Sequence, residues 1–556
     1  MSIKKFLFYL PILIILNGCQ TKQPNIPGAV VTGHPEATQI GIKVLEKGGN
    51  AIDASVAVQL ALAVCLPNAG NIGGGGFMVA RMNNGQTHAL DFREQAPSKS
   101  THDMYLNGDG KVIDSLSTYG SLSVGIPGTI DGIFKAHEQF GTINIDTLFN
   151  YAIKLALDGF PITKKQSQAL NHYQKDFKKF NPKNNYLQSE RWQEKDILKQ
   201  PDLANTLTII RDKGRDGFYK GDIAQSIIET LKPNGIISKS DLENYNAIWR
   251  EPIILNFQNY KLISMPPPSS GGIALSQLLM MLFSWDLNNI KHNSIEYIHL
   301  LSEIEKRAYA DRSMHLGDMD YYKVPIQELL NPIYNRERSA EISLKKATPS
   351  DSISYGDFQF YESEETTHFS IIDNFGNAVS VTTTLNTNYG SKLFVNKRGF
   401  LLNNEMDDFS SKPGEPNTYG LLGSKANSIE PKKRMLSSMT PSILEKDDDL
   451  FLVLGSPGGS TIITSVFQTI LNIILFKMDM QSAVDTPRFH HQWKPDHIYL
   501  ERSNTFDSIL NPLIEMGHTL KFRSNIGHVN AIMLDDEHIS FGADRRGDNY
   551  GEIIKK

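Results

Sequence analysis

The stretch from Glu364 to Asn386 constrains this chain more than any other. Two runs rich in β-branched and aromatic residues flank a turn signal, Asp373-Asn374-Phe375-Gly376-Asn377, whose Gly376 can take the positive φ of a tight connection. The pattern predicts a β-hairpin. A hydroxyl residue that opens a strand gains a built-in base if the chain is cut just before it, because the freed α-amine titrates near pH ~7.7–8.0. Thr366 is that residue, and its β-branch restricts χ1, so the hydroxyl has few orientations.

A chain of 556 residues is too long for one simple core and predicts two domains or one large layered unit. Its 56 basic and 61 acidic residues leave a net charge of −5, which argues against a nucleic-acid binder that relies on a basic surface. Lys4 and Lys5 precede an apolar run from Phe6 to Leu16, too short to span a bilayer and suited to a signal peptide. Leu16-Asn17-Gly18-Cys19 follows and resembles a bacterial lipoprotein cleavage site. The expectation is a signal peptide over 1–18 and a lipidated Cys19 that tethers a soluble body to a membrane in the periplasm or at the cell surface. With Cys19 lipidated, Cys65 has no disulfide partner, and its apolar surroundings predict a small buried hydrophobe.

Small and aliphatic residues crowd Ile52–Leu66, as in a helix buried on most sides. The four glycines Gly73–Gly76 lack the Lys-Ser/Thr pair of a phosphate loop and lead into a strand, so they predict close backbone approach. In Asp91-Phe92-Arg93-Glu94, an arginine between two acids reads locally as an ion pair. Residues 145–250 read as mainly helical, with a solvated polar stretch over Lys175–Lys199. Pro266–Gly272 is a turn that ends in an N-cap for an apolar helix starting near Ile273, and the charges of Ala308–Ser313 are expected to be structural. From about Ala340 to Glu364 the chain is polar and without periodicity, as a processing linker or any exposed loop would be. Leu450–Leu454 predicts a strand, Gly455–Gly459 a tight loop and Ser460 onward a helix; such a loop exposes N–H groups that suit an oxyanion. His490 and His491 are adjacent on a strand with no third ligand nearby, so they are expected to be structural.

The hairpin, Leu401–Phe409, Leu436-Ser437-Ser438-Met439 and Gly455-Ser456-Pro457-Gly458-Gly459-Ser460, in this order, resemble the gamma-glutamyltranspeptidase family. Its members cut themselves before a threonine to become N-terminal-nucleophile hydrolases. The resemblance runs from about Gly28 to Gly542 and includes Gly48–Ala54 and the glycine run. It implies an α+β fold, a four-layer αββα sandwich built jointly from a large subunit, 19–365, and a small one, 366–556. It implies Thr366 as nucleophile, Thr384 as its hydrogen-bond partner and the N–H groups of Gly458 and Gly459 as the oxyanion site. Arg93, Ser437 and Ser438 would hold the substrate α-carboxylate; adjacent serines on a regular strand would face opposite ways, leaving one available. Asn386, Glu405 and Asp408 would face the ammonium, although many relatives carry glutamine at the Glu405 position. Pro413–Gly420 matches a lid with Tyr419 at its tip. The implied substrates are glutathione and other γ-glutamyl compounds, with water, amino acids or peptides as acceptors and no metal or organic cofactor. Two other readings stay open: a sister amidase acting on cephalosporin side chains or capsule polyglutamate, and a non-catalytic peptide-binding lipoprotein.

Overall fold

The computed structural model describes residues 26–113, 115–182, 187–189, 191–354, 366–412, 424–535 and 538–555. Two antiparallel sheets dominate it. The first joins, in chain order, β1 (Ala29–Thr32), β2 (Gly75–Arg81), β3 (Thr87–Asp91), β4 (Ile248–Arg250), and three strands from after residue 366. The second takes β5 (Ile253–Phe257) and β6 (Tyr260–Ser264). After them come β7 (Thr367–Ile372) and β8 (Ala378–Thr384) in the first sheet, and β9 (Ser442–Lys446), β10 (Asp449–Gly455), β11 (Asn530–Asp535) and β12 (His538–Ala543) in the second. The last strand, β13 (Tyr550–Ile553), returns to the first. The spatial orders are β13-β1-β7-β8-β2-β3-β4 and β12-β11-β10-β9-β6-β5.

Alternation along the strands builds three apolar layers. Val31, Phe77, Val79 and Ile372 meet Ile263, Ile443, Val453 and Ile532 between the sheets. Their neighbours Val30, Met78, Ala80 and Ile371 face outward against helices that include Pro35–Glu46 and Ala51–Cys65. Leu262, Leu444, Leu452 and Leu454 face the other way, against Gly271–Leu282, Ile295–His315 and Thr461–Ile474. The result is helix, sheet, sheet, helix, the four-layer αββα arrangement, because each sheet has two apolar faces to cover.

Every residue of Ala51–Cys65 is buried, Cys65 included. The glycine run is there for closeness: a Cβ on Gly73 would lie 2.1 Å from Leu401 O, and one on Gly74 2.1 Å from Thr384 O. The sheets are also stitched by polar groups. Ser380 Oγ donates to Leu454 O at 3.0 Å, Ser370 Oγ to Asn530 O at 3.1 Å, and Asn530 Nδ2 to His368 O at 2.8 Å. His368 is fully buried between Thr382 and Ser370, and burial lowers its pKa to about 3, so it stays a neutral hydrogen-bonding ring.

His490 and His491 are buried and bonded within the protein, His490 to Thr464 Oγ1 at 2.8 Å and His491 to Asp496 at 3.2 Å. Among the described residues, His299, Glu303 and His518 bring donor atoms within 4.8 Å of one another. Glu303 is already held by Lys306 Nζ at 2.7 Å and Arg307 Nη1 at 3.0 Å, and the two imidazoles bond each other at 2.7 Å. Two cations on one carboxylate make this a satisfied ion cluster that a further cation would overload. Among the described residues no helix is long and apolar enough to cross a membrane. Cys19 lies outside the described residues.

Candidate functional site

A cavity of about 490 Å³, counting its opening to solvent, lies where the ends of β7 and β8 meet the loops after β8 and before β9. Its walls include Thr366, Thr384, Asn386, Arg93, Glu405, Asp408, Ser437, Ser438 and Gly459. All nine belong to the motifs expected to form the site, and they come from five separate stretches of chain.

The hairpin builds the floor. Asp373 accepts from the N–H groups of Phe375 and Asn377 at 2.9 Å each, and Gly376 turns with φ +90°. The resulting register pairs Ala378 with Ile372 and Thr383 with Thr367. One further step sets Thr384 opposite Thr366. Residues so opposed share a face of the sheet, with Cβ atoms about 4.5–5.5 Å apart. Thr384 Oγ1 also accepts from Asn386 N at 2.7 Å, which turns the chain sharply off β8. Asn386 sits at φ +75°, a strained conformation for a residue with a Cβ, and its Nδ2 donates to Asn404 O at 3.0 Å.

Arg93 follows β3 and is fully buried. Its backbone N–H donates to Asp91 at 2.9 Å, but its guanidinium does not pair there: it spreads between Glu405 and Asp408 and donates to Leu436 O at 3.2 Å. Glu94 stands 3.7 Å from Nη1, and burial raises its carboxyl to about 8. Glu405 and Asp408 lie on a short 3₁₀ turn, Glu405–Asp408. Burial pushes the Glu405 carboxyl well above the ordinary range and Asp408 up to about 6, with Arg93 opposing both shifts. Glu405 Oε2 is buried without a hydrogen-bond partner among the described residues. A donor arriving in the cavity would supply what that oxygen lacks.

Ser437 and Ser438 both line the cavity. A regular strand would have turned one of them away, but the segment pairs only once, through a bridge from Ser437 to Ser269, so strict alternation does not apply. The helix expected from near Ile273 starts two residues earlier, as Gly271–Leu282, and Ser270 precedes it, but the Ser270 hydroxyl donates to Ser437 O at 2.7 Å and does not cap the helix. The serine pair is thus held by the Pro266–Ser270 turn.

Of the two glycines, Gly459 reaches the cavity wall and has φ +54°. Gly458 has φ +129°, its carbonyl accepts from Thr461 N at 3.0 Å, and a Cβ there would lie 2.5 Å from Thr461 Oγ1. Gly458 shapes the loop and Gly459 faces the space. Tyr419 and Glu365 lie outside the described residues.

Asn427 and Arg312 also line the cavity and were not among the expected site residues. Asn427 accepts from Leu436 N at 2.9 Å and donates to Asp408 O at 2.7 Å, tying the two sides of the cavity together. Arg312, expected to be structural with its neighbours, lines the cavity from the last turn of Ile295–His315. Its neighbour Asp311 is structural, paired with Arg338 at 3.0 Å. The available signal was the helix itself: charged residues spread around much of its circumference beside the apolar stripe of Tyr297, Leu301, Ile304 and Ala308, and Tyr297–Ser313 is buried throughout.

The cavity thus sets a threonine hydroxyl beside a cation flanked by carboxylates. That can attack a carbonyl while holding a group that carries both charges. Comparison with known proteins agrees. The family model described as Gamma-glutamyltranspeptidase matches residues 37–554. The chain is 43% identical to the glutathione hydrolase proenzyme of Escherichia coli K12 over 523 residues, 93% of this chain and 90% of that one. It is also 43% identical to the glutathione hydrolase proenzyme of Pseudomonas aeruginosa over 536 residues, 95% of each. In fold it resembles the crystal structure of a cephalosporin acylase from Bacillus halodurans, with a TM-score of 0.84 over 96% of both chains at 23% identity.

Proposed function

Because this chain belongs to the gamma-glutamyltranspeptidase family, with the fold of the N-terminal-nucleophile hydrolases, we propose that it is a self-processing γ-glutamyltransferase and glutathione hydrolase. The observation that carries this reading is the pairing of Arg93 with Glu405 and Asp408 on the wall that Thr366 shares. A γ-glutamyl group ends in an α-carboxylate and an α-ammonium. The carboxylate takes the guanidinium fork and the ammonium takes the two acids, so the buried charge balance is kept when the ligand enters. Glu405 Oε2 gains the donor it lacks. A side chain without the ammonium would leave Glu405 Oε2 without the donor it lacks, which favours the glutamyl reading over the amidase one.

The chain is cut between Glu365 and Thr366, giving 19–365 and 366–556, which stay together as a heterodimer. The relatives' description as proenzymes supports a processed form. Thr366 Oγ then attacks the γ-amide carbon while its own α-amine takes the hydroxyl proton. Gly459 N–H, with Gly458 shaping the loop, stabilises the oxyanion. The proton passes to the leaving nitrogen, the C–N bond breaks, and a γ-glutamyl ester of Thr366 remains. Water, an amino acid or a peptide attacks that ester and restores the threonine. Tyr419 is assigned as the tip of a lid over the glutamyl group. Cys19 is assigned as the lipidated first residue, tethering the enzyme to a membrane in the periplasm or at the cell surface.

A denaturing gel of purified protein, together with release of aniline from a γ-glutamyl anilide, tests the proposal. Two fragments and anilide turnover are expected. A single unprocessed chain without turnover would overturn it and leave a binding protein.

A further inference from the structure

Arg312 is buried at 2% exposure and its guanidinium contacts two serines. Nε donates to Ser270 Oγ at 2.9 Å, and Nη2 donates to Ser438 Oγ at 3.0 Å. Arginine has donors only, so in each contact the serine oxygen must accept, and the single hydroxyl hydrogen must go elsewhere. For Ser270 it goes to Ser437 O at 2.7 Å, the carbonyl that also accepts from Ser270 N at 2.7 Å. For Ser438 no acceptor is found among the described residues, and the hydroxyl lies on the cavity wall. Ser437 is set the same way: its Oγ accepts from Met439 N at 3.2 Å.

We propose that Arg312 is a positioning residue for the α-carboxylate of the γ-glutamyl donor. By occupying Ser438 Oγ as donor it commits that hydroxyl's hydrogen to the cavity, and through Ser270 it fixes the Ser437–Ser438 backbone. The site then offers the carboxylate two oriented hydroxyls besides Arg93. A planar fork is needed to serve Ser270 and Ser438 at once, and a lysine ammonium on a flexible stem would not hold both. The inference rests on the glutamyl reading above.

The test compares kcat/KM on a γ-glutamyl anilide with that on the 4-aminobutyryl anilide, which lacks only the α-carboxylate. Wild type should prefer the glutamyl donor; absence of that preference would sink the glutamyl reading itself. Given the preference, Arg312→Gln should cut the ratio about tenfold, mainly through KM, because a hydrogen bond to a charged group is lost. Arg312→Lys should recover only part. Ser438→Ala should give a similar loss, and the double variant no more than either single one, since both remove one interaction. A structural arginine would instead lower both donors alike, leaving the ratio unchanged and overturning the inference. If Arg312→Gln does not fold or process, Ser438→Ala and Arg312→Lys decide, and unchanged ratios in those two overturn it equally.

Discussion

Thr384 stands across the hairpin from Thr366, one step beyond the last paired residues Thr383 and Thr367, and both side chains line one cavity. The hydroxyl of Thr384 is already fixed by Asn386 N at 2.7 Å. Thr384→Val keeps the shape and removes the oxygen. Loss of one neutral hydrogen bond, about 0.5–1.5 kcal/mol, should lower kcat roughly two- to tenfold. Stopped assays on the γ-glutamyl anilide with unchanged KM would confirm that the effect is on the nucleophile.

Processing and turnover should depend on the same oxygen. While Glu365 precedes it, the nitrogen of Thr366 is an amide and cannot act as base. Thr366→Ala should therefore remain one chain on a denaturing gel and release no aniline. An alanine variant that still separates into two fragments would remove Thr366 from both roles.

Arg93 should discriminate donors by their α-carboxylate. Arg93→Ala should lower kcat/KM on the γ-glutamyl anilide by roughly ten- to a hundredfold, about 1.5–3 kcal/mol, and Arg93→Lys should recover part of it. Because the guanidinium also compensates Glu405 and Asp408, the alanine variant should also lose thermal stability, as leaving buried carboxylates unpaired requires. Melting curves and the donor ratio separate the two effects.

Asp408 predicts a pH dependence. Burial raises its carboxyl to about 6, so as the pH falls through that value the group gains a proton and loses its hold on an ammonium. The ratio of kcat/KM on the γ-glutamyl anilide to that on the glutaryl anilide, which lacks the amino group, should be higher at about pH 7 than at about pH 5. It should fall towards acid, by up to about tenfold per unit. Taking the ratio cancels the titration of the Thr366 amine, which both donors share. Asp408→Asn should flatten it.

The two glycines of the loop after β10, Gly458 and Gly459, should differ when replaced. Gly459, at φ +54°, can accept alanine for about 1 kcal/mol, so Gly459→Ala should fold and show lower kcat if the loop shifts. Gly458→Ala, at φ +129° with Thr461 Oγ1 2.5 Å from the new methyl, should instead reduce the yield of folded protein. Circular dichroism alongside kcat tells the two outcomes apart.

The hairpin was legible because local rules govern it: alternating strands, a capping aspartate and a glycine at positive φ all lie within one short segment. That both serines reach the cavity was not legible, because the irregular backbone that permits it is imposed by Ser269 and Ser270, some 170 residues away in sequence. Arg312 was missed for a related reason. Charges on a helix normally mark its solvent face, and only the second sheet and the helices packed around it reveal that this helix has none. The union of Arg93 with Glu405 and Asp408 was visible in the residues but not in their partners, since the local pattern pointed to Asp91 or Glu94.

The strand order has a consequence for the processed enzyme. Segments from before and after residue 366 alternate in the first sheet and join at one seam in the second: β1 lies between β13 and β7, β8 is bonded to β2, and β9 to β6. Cutting one peptide bond therefore releases no part of the molecule. The two polypeptides share four hydrogen-bonded seams, and separating them means dismantling both sheets and the apolar layer they enclose. The heterodimer should melt in one transition in which unfolding and separation coincide, with a midpoint that falls on dilution because two chains are released.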